Sequence, residues 1–199
     1  MKNLVLVGGA GGIGRSLAVR AFDEGWEVTV MDLEKSLINH PPKKGIETRN
    51  IDLKDHLSIS KAFAGFKSLS GLVNLAGFMH GLNSLENTTN KEFDEVMSVN
   101  FRGAFIVAKE ALPLLKLRGG SMVNVVSGLA SNVRPNYGVY GASKAGLINL
   151  TKTLALEAAP KVRVNAVGPS AVDTAFLRGG TGRSTENEPL TLDIENYTK

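Results

Sequence analysis

Tyr140 and Lys144, in the stretch Tyr140-Gly141-Ala142-Ser143-Lys144, are side chains whose types and spacing can move a proton. Residues four apart share one face of a helix, so the ammonium can lie beside the phenol. A free phenol ionises near about pH 10 and is a poor base at neutrality. A cation held close favours the phenolate and brings it toward the operating pH of a proton-transfer catalyst. An exposed helix also carries such a pair by chance, so its meaning rests on the elements around it.

Those elements begin at the N-terminus. Leu4-Val5-Leu6-Val7 reads as a buried strand and feeds into Gly8-Gly9-Ala10-Gly11-Gly12-Ile13-Gly14. A helical pattern then carries Leu17, Ala18, Ala21 and Phe22 to a stop at Gly25. A glycine-rich strand-to-helix turn lets the backbone approach a pyrophosphate, and the helix N-terminus supplies amide donors and positive potential. A second strand, Glu27 to Met31, ends in Asp32. An acid at this distance is placed to accept hydrogen bonds from a ribose 2′-hydroxyl and to repel a 2′-phosphate. NAD is therefore expected over NADP. The glycine spacing fits Gly8-xxx-Gly12-x-Gly14, Gly9-x-Gly11-xx-Gly14 and Gly8-xx-Gly11-xx-Gly14 equally well, and does not choose among dinucleotide-binding subfamilies.

Strand and helix patterns alternate along the chain, which predicts an α/β fold with a parallel sheet covered on both faces. Strands are expected at Asn3–Val7, Glu27–Met31, Ile46–Asn50, Gly71–Leu75, Ser121–Val126 and Val162–Val167. Helices are expected near Gly12–Glu24, Leu57–Phe66, Lys91–Lys116 and Tyr140–Ala158, with Pro113 kinking or ending the third. No repeat or domain boundary is visible, so residues 1–199 read as one domain. Arg178-Gly179-Gly180-Thr181-Gly182-Arg183-Ser184 reads as a mobile loop within a substrate-covering tail, 170–199.

Together these features resemble the short-chain dehydrogenase/reductase family in its compact branch, over nearly the whole chain up to Thr174. Asn74-Leu75-Ala76-Gly77 resembles the Asn-Asn-Ala-Gly motif after the fourth strand; Asn100 matches the family's helix-embedded catalytic Asn. Ser127, thirteen residues before Tyr140, stands where the family keeps its catalytic Ser. Val164-Asn165-Ala166-Val167-Gly168-Pro169 resembles the segment closing over the nicotinamide, and Asp52-Leu53 the pair flanking the adenine. The resemblance implies a Rossmann-like, doubly wound, three-layer α/β/α fold. It implies catalytic roles for Asn100, Ser127, Tyr140 and Lys144, with Lys144 also on the nicotinamide ribose and the Asn100 backbone holding a water that links Lys144 to solvent. It implies a dinucleotide held by Gly8, Gly11, Gly12, Ile13, Gly14, Asp32, Asp52, Leu53, Asn74, Ala76, Gly77, Tyr140, Lys144, Pro169, Val172 and Thr174. It also implies a homo-oligomer, dimer or tetramer, built on the helices starting near Lys91 and Tyr140. The chain departs from the pattern at Val7 for Thr, Leu75 for Asn and Ser170 for Gly. The Val7 departure removes a hydroxyl that ties the turn to the fourth strand. Family members usually continue into a helical lid and a seventh strand, so the chain is expected either to be truncated or to have dispensed with them.

Composition closes off other classes. Zero Cys excludes disulfides, thiolate metal sites and a cysteine nucleophile. His40, His56 and His80 lack ligand spacing, and no metal is expected. No apolar run is long enough to span a bilayer, and Met1-Lys2-Asn3 enters a strand rather than a signal core, so a cytoplasmic protein is expected. The net charge of +4 is scattered, with Pro42-Lys43-Lys44 its one local pair, which speaks against a nucleic-acid surface. Asn87-Thr88-Thr89 and Asn196-Tyr197-Thr198 are read as chance glycosylation sequons. Ser127 lacks a Gly-x-Ser-x-Gly elbow and no histidine follows it, which removes the usual hydrolase order. The sequence thus reads as an oxidoreductase acting on a secondary alcohol or ketone. The rival from another class is a non-catalytic dinucleotide-binding sensor or scaffold, which would be expected to lose Tyr140 or Lys144.

Overall fold

A computed structural model describes residues 2–80 and 82–178. Six strands form one parallel sheet in the order β3-β2-β1-β4-β5-β6. They are β1 (Asn3–Val7), β2 (Glu27–Asp32), β3 (Glu47–Asn50), β4 (Gly71–Asn74), β5 (Ser121–Val125) and β6 (Arg163–Val167). The helices between them are α1 (Gly12–Asp23), α2 (Glu34–Asn39), α3 (His56–Phe63), α4 (Asn90–Met97), α5 (Ala104–Lys116) and α6 (Gly138–Ala158).

Side-chain alternation along the strands builds the layers. On β1, Leu4 and Leu6 face a core completed by Ala18 and Ala21 of α1. Val5 and Val7 face the opposite core, formed with Ile59 and Phe63 of α3, Val107 and Leu115 of α5, and Leu154 of α6. β1 is thus buried on both sides, as its uninterrupted apolar run predicts. It pairs with β2 on one side and β4 on the other, in register Val7↔Met31 and Val7↔Asn74. The chain order reverses at this point, and a crevice opens at the carboxyl ends of the strands.

The expected helix over Lys91–Lys116 divides. A capping box at Thr89 and Glu92 starts α4, and a π-helical stretch, Ser98–Gly103, separates it from α5. Two tertiary contacts lie in that stretch. The Asn100 side chain turns inward to bind the backbone of Phe78, and a Cβ on Gly103 would lie 2.8 Å from that of Leu53. Pro113 neither ends nor divides the helix, which runs on to Lys116. The short helix α2 lies outside the expected set, because six residues carry too little periodicity to read. The loop expected at Arg178–Ser184 and the sequon at Asn196 lie outside the described residues, apart from Arg178. No helix among the described residues is long and apolar enough to cross a membrane.

Candidate active site

The crevice at the β1–β4 switch is a cavity of about 370 Å³. Gly8, Gly11, Gly12, Ile13 and Gly14 form its floor between β1 and α1. Gly8 has φ +77°, and a Cβ there would lie 2.6 Å from the Ala76 amide nitrogen, so only glycine lets the turn press against the strand beside it. The turn is tied down by main-chain bonds. Gly8 N–H donates to Met31 O at 2.8 Å, and Leu75 N–H donates to Val7 O at 2.8 Å. Backbone pairing between Val7 and Leu75 therefore joins the turn to the β4 side where the expected hydroxyl is absent. No side chain caps the N-terminus of α1, and its first-turn residues Gly12, Ile13 and Gly14 line the cavity. Uncapped amides of a helix start beside a cavity suit an anionic pyrophosphate.

Asp32, at the end of β2, also lines the cavity. Its Oδ1 accepts from Leu33 N–H at 2.8 Å and its Oδ2 from Ala10 N–H at 3.0 Å. Burial pushes its carboxyl above the usual range, while those two amides, the Ser36 hydroxyl and the nearby His40 pull the other way. Nearby, Arg15 and His40 meet through Nη1 and Nδ1 at 2.7 Å. Asp52 and Leu53, after β3, complete this end of the wall. The Asp52 carboxylate accepts from Lys54 N–H, and its own N–H donates to Ser58 Oγ.

At the other end of the cavity stand Ser127, Tyr140 and Lys144. Ser127 follows β5 in extended conformation, and its Oγ accepts from Leu129 N–H at 3.2 Å. Tyr140 and Lys144 lie on the first turns of α6 and both are buried. Lys144 Nζ sits 5.9 Å from the centroid of the Tyr140 ring and donates to Val125 O at 3.0 Å. Burial pushes the lysine down to about 8. A Cβ on Gly77 would lie 3.0 Å from that ammonium and 3.2 Å from Asn100 Oδ1, so the glycine after β4 leaves both groups their room.

Pro169, Val172 and Thr174 cover the cavity from the segment after β6. Gly128 N–H donates to Pro169 O at 3.0 Å, and a Cβ on Gly12 would lie 2.5 Å from Thr174 Cγ2. A turn at Ala175–Arg178 brings Phe176 to 6.0 Å from the Tyr140 ring.

Two expected residues lie behind the wall. Asn74 is buried, and its Oδ1 accepts from Ala76 N–H at 3.2 Å, which shapes the turn after β4. Asn100 is fully buried: its Oδ1 accepts from Phe78 N–H at 3.0 Å, while its Nδ2 donates to Phe78 O at 2.9 Å and to Ser143 Oγ at 3.2 Å. Ser143 Oγ in turn donates to Tyr140 O at 2.7 Å. The Asn100 side chain thus ties the segment after β4 to the helix carrying Tyr140. Sequence reading missed Ser143 and Ser36. Ser143 could have been found, because it sits between Tyr140 and Lys144 where a helix turns it away from their face.

A family model described as short chain dehydrogenase matches residues 2–182. The chain belongs to the short-chain dehydrogenase/reductase family. Members of this family are oxidoreductases that bind a nicotinamide dinucleotide. The chain is 35% identical over 182 residues to dehydrogenase/reductase SDR family member 6 of Aquarana catesbeiana, covering 89% of this chain and 74% of that protein. It is 32% identical over 184 residues to a 3-oxoacyl-(acyl-carrier-protein) reductase of Staphylococcus epidermidis, covering 86% and 75%. Among solved structures, a 3-ketoacyl-(acyl-carrier-protein) reductase from Brucella melitensis complexed with NADH superposes with a TM-score of 0.83. It is 29% identical, over 89% of this chain and 79% of that one.

Proposed function

We propose that this member of the family interconverts a secondary alcohol and a ketone, with Tyr140 as general acid and base and NAD(H) preferred to NADP(H). The observation that carries this reading is the convergence of Ser127, Tyr140 and Lys144 on the cavity that the glycine turn and Asp32 also line. The bound nicotinamide supplies or accepts the hydride. In reduction, the Tyr140 phenol gives its proton to the substrate oxygen as negative charge develops there; in oxidation it takes that proton back. Ser127 Oγ hydrogen-bonds the same oxygen and stabilises the developing charge. Lys144 favours the phenolate and holds the nicotinamide ribose. Asn100 keeps Tyr140 and Gly77 in register from behind the wall.

Asp32 supports the NAD preference. Each of its oxygens takes one main-chain N–H and retains acceptor capacity for ribose hydroxyls, and no Arg or Lys stands at Gly11 or Leu33. Exposed Phe93 and Phe105 in the α4–α5 region, and Leu156 on α6, support a homo-oligomer, which sedimentation would check.

The test of the catalytic assignment is Tyr140→Phe, which removes one hydroxyl and keeps the ring packed against Phe176. Turnover should fall by about a hundredfold to ten-thousandfold with NADH affinity nearly unchanged. Activity retained within a few-fold assigns the proton to another group.

A further inference from the structure

The charge in the cavity is divided by the order of the strands. Among the charged side chains that line it, Asp32 ends β2 and Asp52 and Lys54 follow β3, on one flank of β1. Across β1, on the flank of β4 and β5, Lys144 is the one charged group among the described lining residues, and its ammonium is buried against Val125 O. Around the Tyr140 ring the wall is made of Met79, Leu129, Tyr137 and Phe176, which pack with it as one apolar cluster. These come from three different connections: Met79 from the one after β4, Leu129 and Tyr137 from the one between β5 and α6, and Phe176 from the one after β6. Hydrocarbon therefore surrounds the reacting position from several sides. A recess of about 30 Å³ adjoins Tyr140 and shares Met79 and Tyr137 with the main cavity. It adds Glu92 and His80, and His80 Nε2 already pairs with Glu95 Oε2 at 2.8 Å. Arg178, on the covering turn, is held by Asp173 and by Thr174 O.

We infer that the site takes a neutral ketone or secondary alcohol flanked by hydrocarbon, seated against Met79, Leu129, Tyr137 and Phe176, and rejects carbonyl compounds that bear a carboxylate or phosphate. The inference rests on Tyr140 being the group that meets the carbonyl. Among the described residues the one cation facing that wall is Lys144, which the proposed reading assigns to the phenolate and the nicotinamide ribose. An anionic substituent next to the carbonyl would therefore leave water for an apolar wall without a cation of its own, and burying an unpaired charge is costly. A hydrocarbon substituent gains from the same burial, by about fourfold in affinity for each added methylene.

Binding and turnover together test this. Methyl ketones from butanone to heptanone, a keto acid (oxohexanoate) and its methyl ester are titrated into the NADH-loaded protein. Binding is followed by ligand-observed NMR, and NADH oxidation is followed separately. Affinity should climb by about fourfold per methylene, and the ester should bind at least about 100-fold more tightly than the acid. Phe176→Ala should weaken heptanone more than butanone. A flat ketone series, or an acid bound as well as its ester, overturns the inference. Ketones that bind in the expected order without consuming NADH leave the apolar site standing and defeat the assignment of Tyr140. Turnover with a flat series does the opposite.

Discussion

The two ends of the cavity each bury a charge, and they treat it differently. At one end the Asp32 carboxylate is taken out of water and handed two main-chain N–H groups and the Ser36 hydroxyl in exchange. At the other end Lys144 is taken out of water and given one carbonyl, Val125 O. Burial leads at both ends, but at Asp32 several partners oppose it, whereas at Lys144 it pushes the ammonium down to about 8. A charge that the chain's own backbone holds from both oxygens is oriented whether or not a ligand is bound. A charge left short of partners gains most from a ligand that brings acceptors, and it sits near the pH where proton transfer operates. On the proposed reading, the acid end discriminates between cofactors and the lysine end takes part in the reaction.

The contrast breaks most visibly in paired substitutions at the lysine end. Tyr140→Phe should remove turnover alone. Lys144→Met keeps the stem but removes the cation and its donors, so it should lose turnover and also weaken NADH binding by about 10- to 100-fold. Titration calorimetry of both variants decides the matter: equal NADH affinity in the two confines Lys144 to the phenolate. In any activity that survives Lys144→Met, oxidation should turn on at higher pH than in the parent.

At the acid end the expected effect is smaller and falls on choice of cofactor. The parent should bind NADH more tightly than NADPH, and Asp32→Ala should narrow that gap by about tenfold. Equal affinities in the parent would remove Asp32 from the discrimination and turn attention to Arg15 and Lys35.

The smallest effect at any one pH is on folding. The folded-state value of Lys144, about 8, lies below its ordinary 10.5. Between those values the unfolded chain holds the proton that the folded chain has released, so this group's contribution to stability rises with pH across that window and is flat below it. Denaturant unfolding of the parent relative to Lys144→Met should therefore move in the parent's favour from about pH 8 to 10.5, by no more than about 1.4 kcal/mol per pH unit. A parent-minus-variant difference that stays level across the window shows that Lys144 is not desolvated as described.

Much of this was legible in the residues. The apolar run of β1, the glycine turn and the acid ending β2 share one local unit, and local pattern suffices to read them. Tyr140 and Lys144 were legible because a helix fixes their relation at a spacing of four. Asn74 and Asn100 were readable as residue types but not in where they point. Their amides are spent on Ala76 and on Phe78 and Ser143, and those partners are set by packing between elements far apart in sequence. The same holds for the break in the long helix, where local propensity predicts continuity and the contacts of Asn100 and Gly103 coincide with a π-helical stretch.

The sequence by itself determined the alternation of elements, the parallel sheet, the two-faced burial of its central strand and the chemical types at the site, because each follows from short-range periodicity and backbone sterics. The tertiary structure decided which charges are satisfied and which are left short. It also decided that Met79, Leu129, Tyr137 and Phe176 meet around one phenol and that Asn100 works from behind the wall. Desolvation and side-chain pairing depend on what other segments bring within a few ångströms, and no local pattern carries that information.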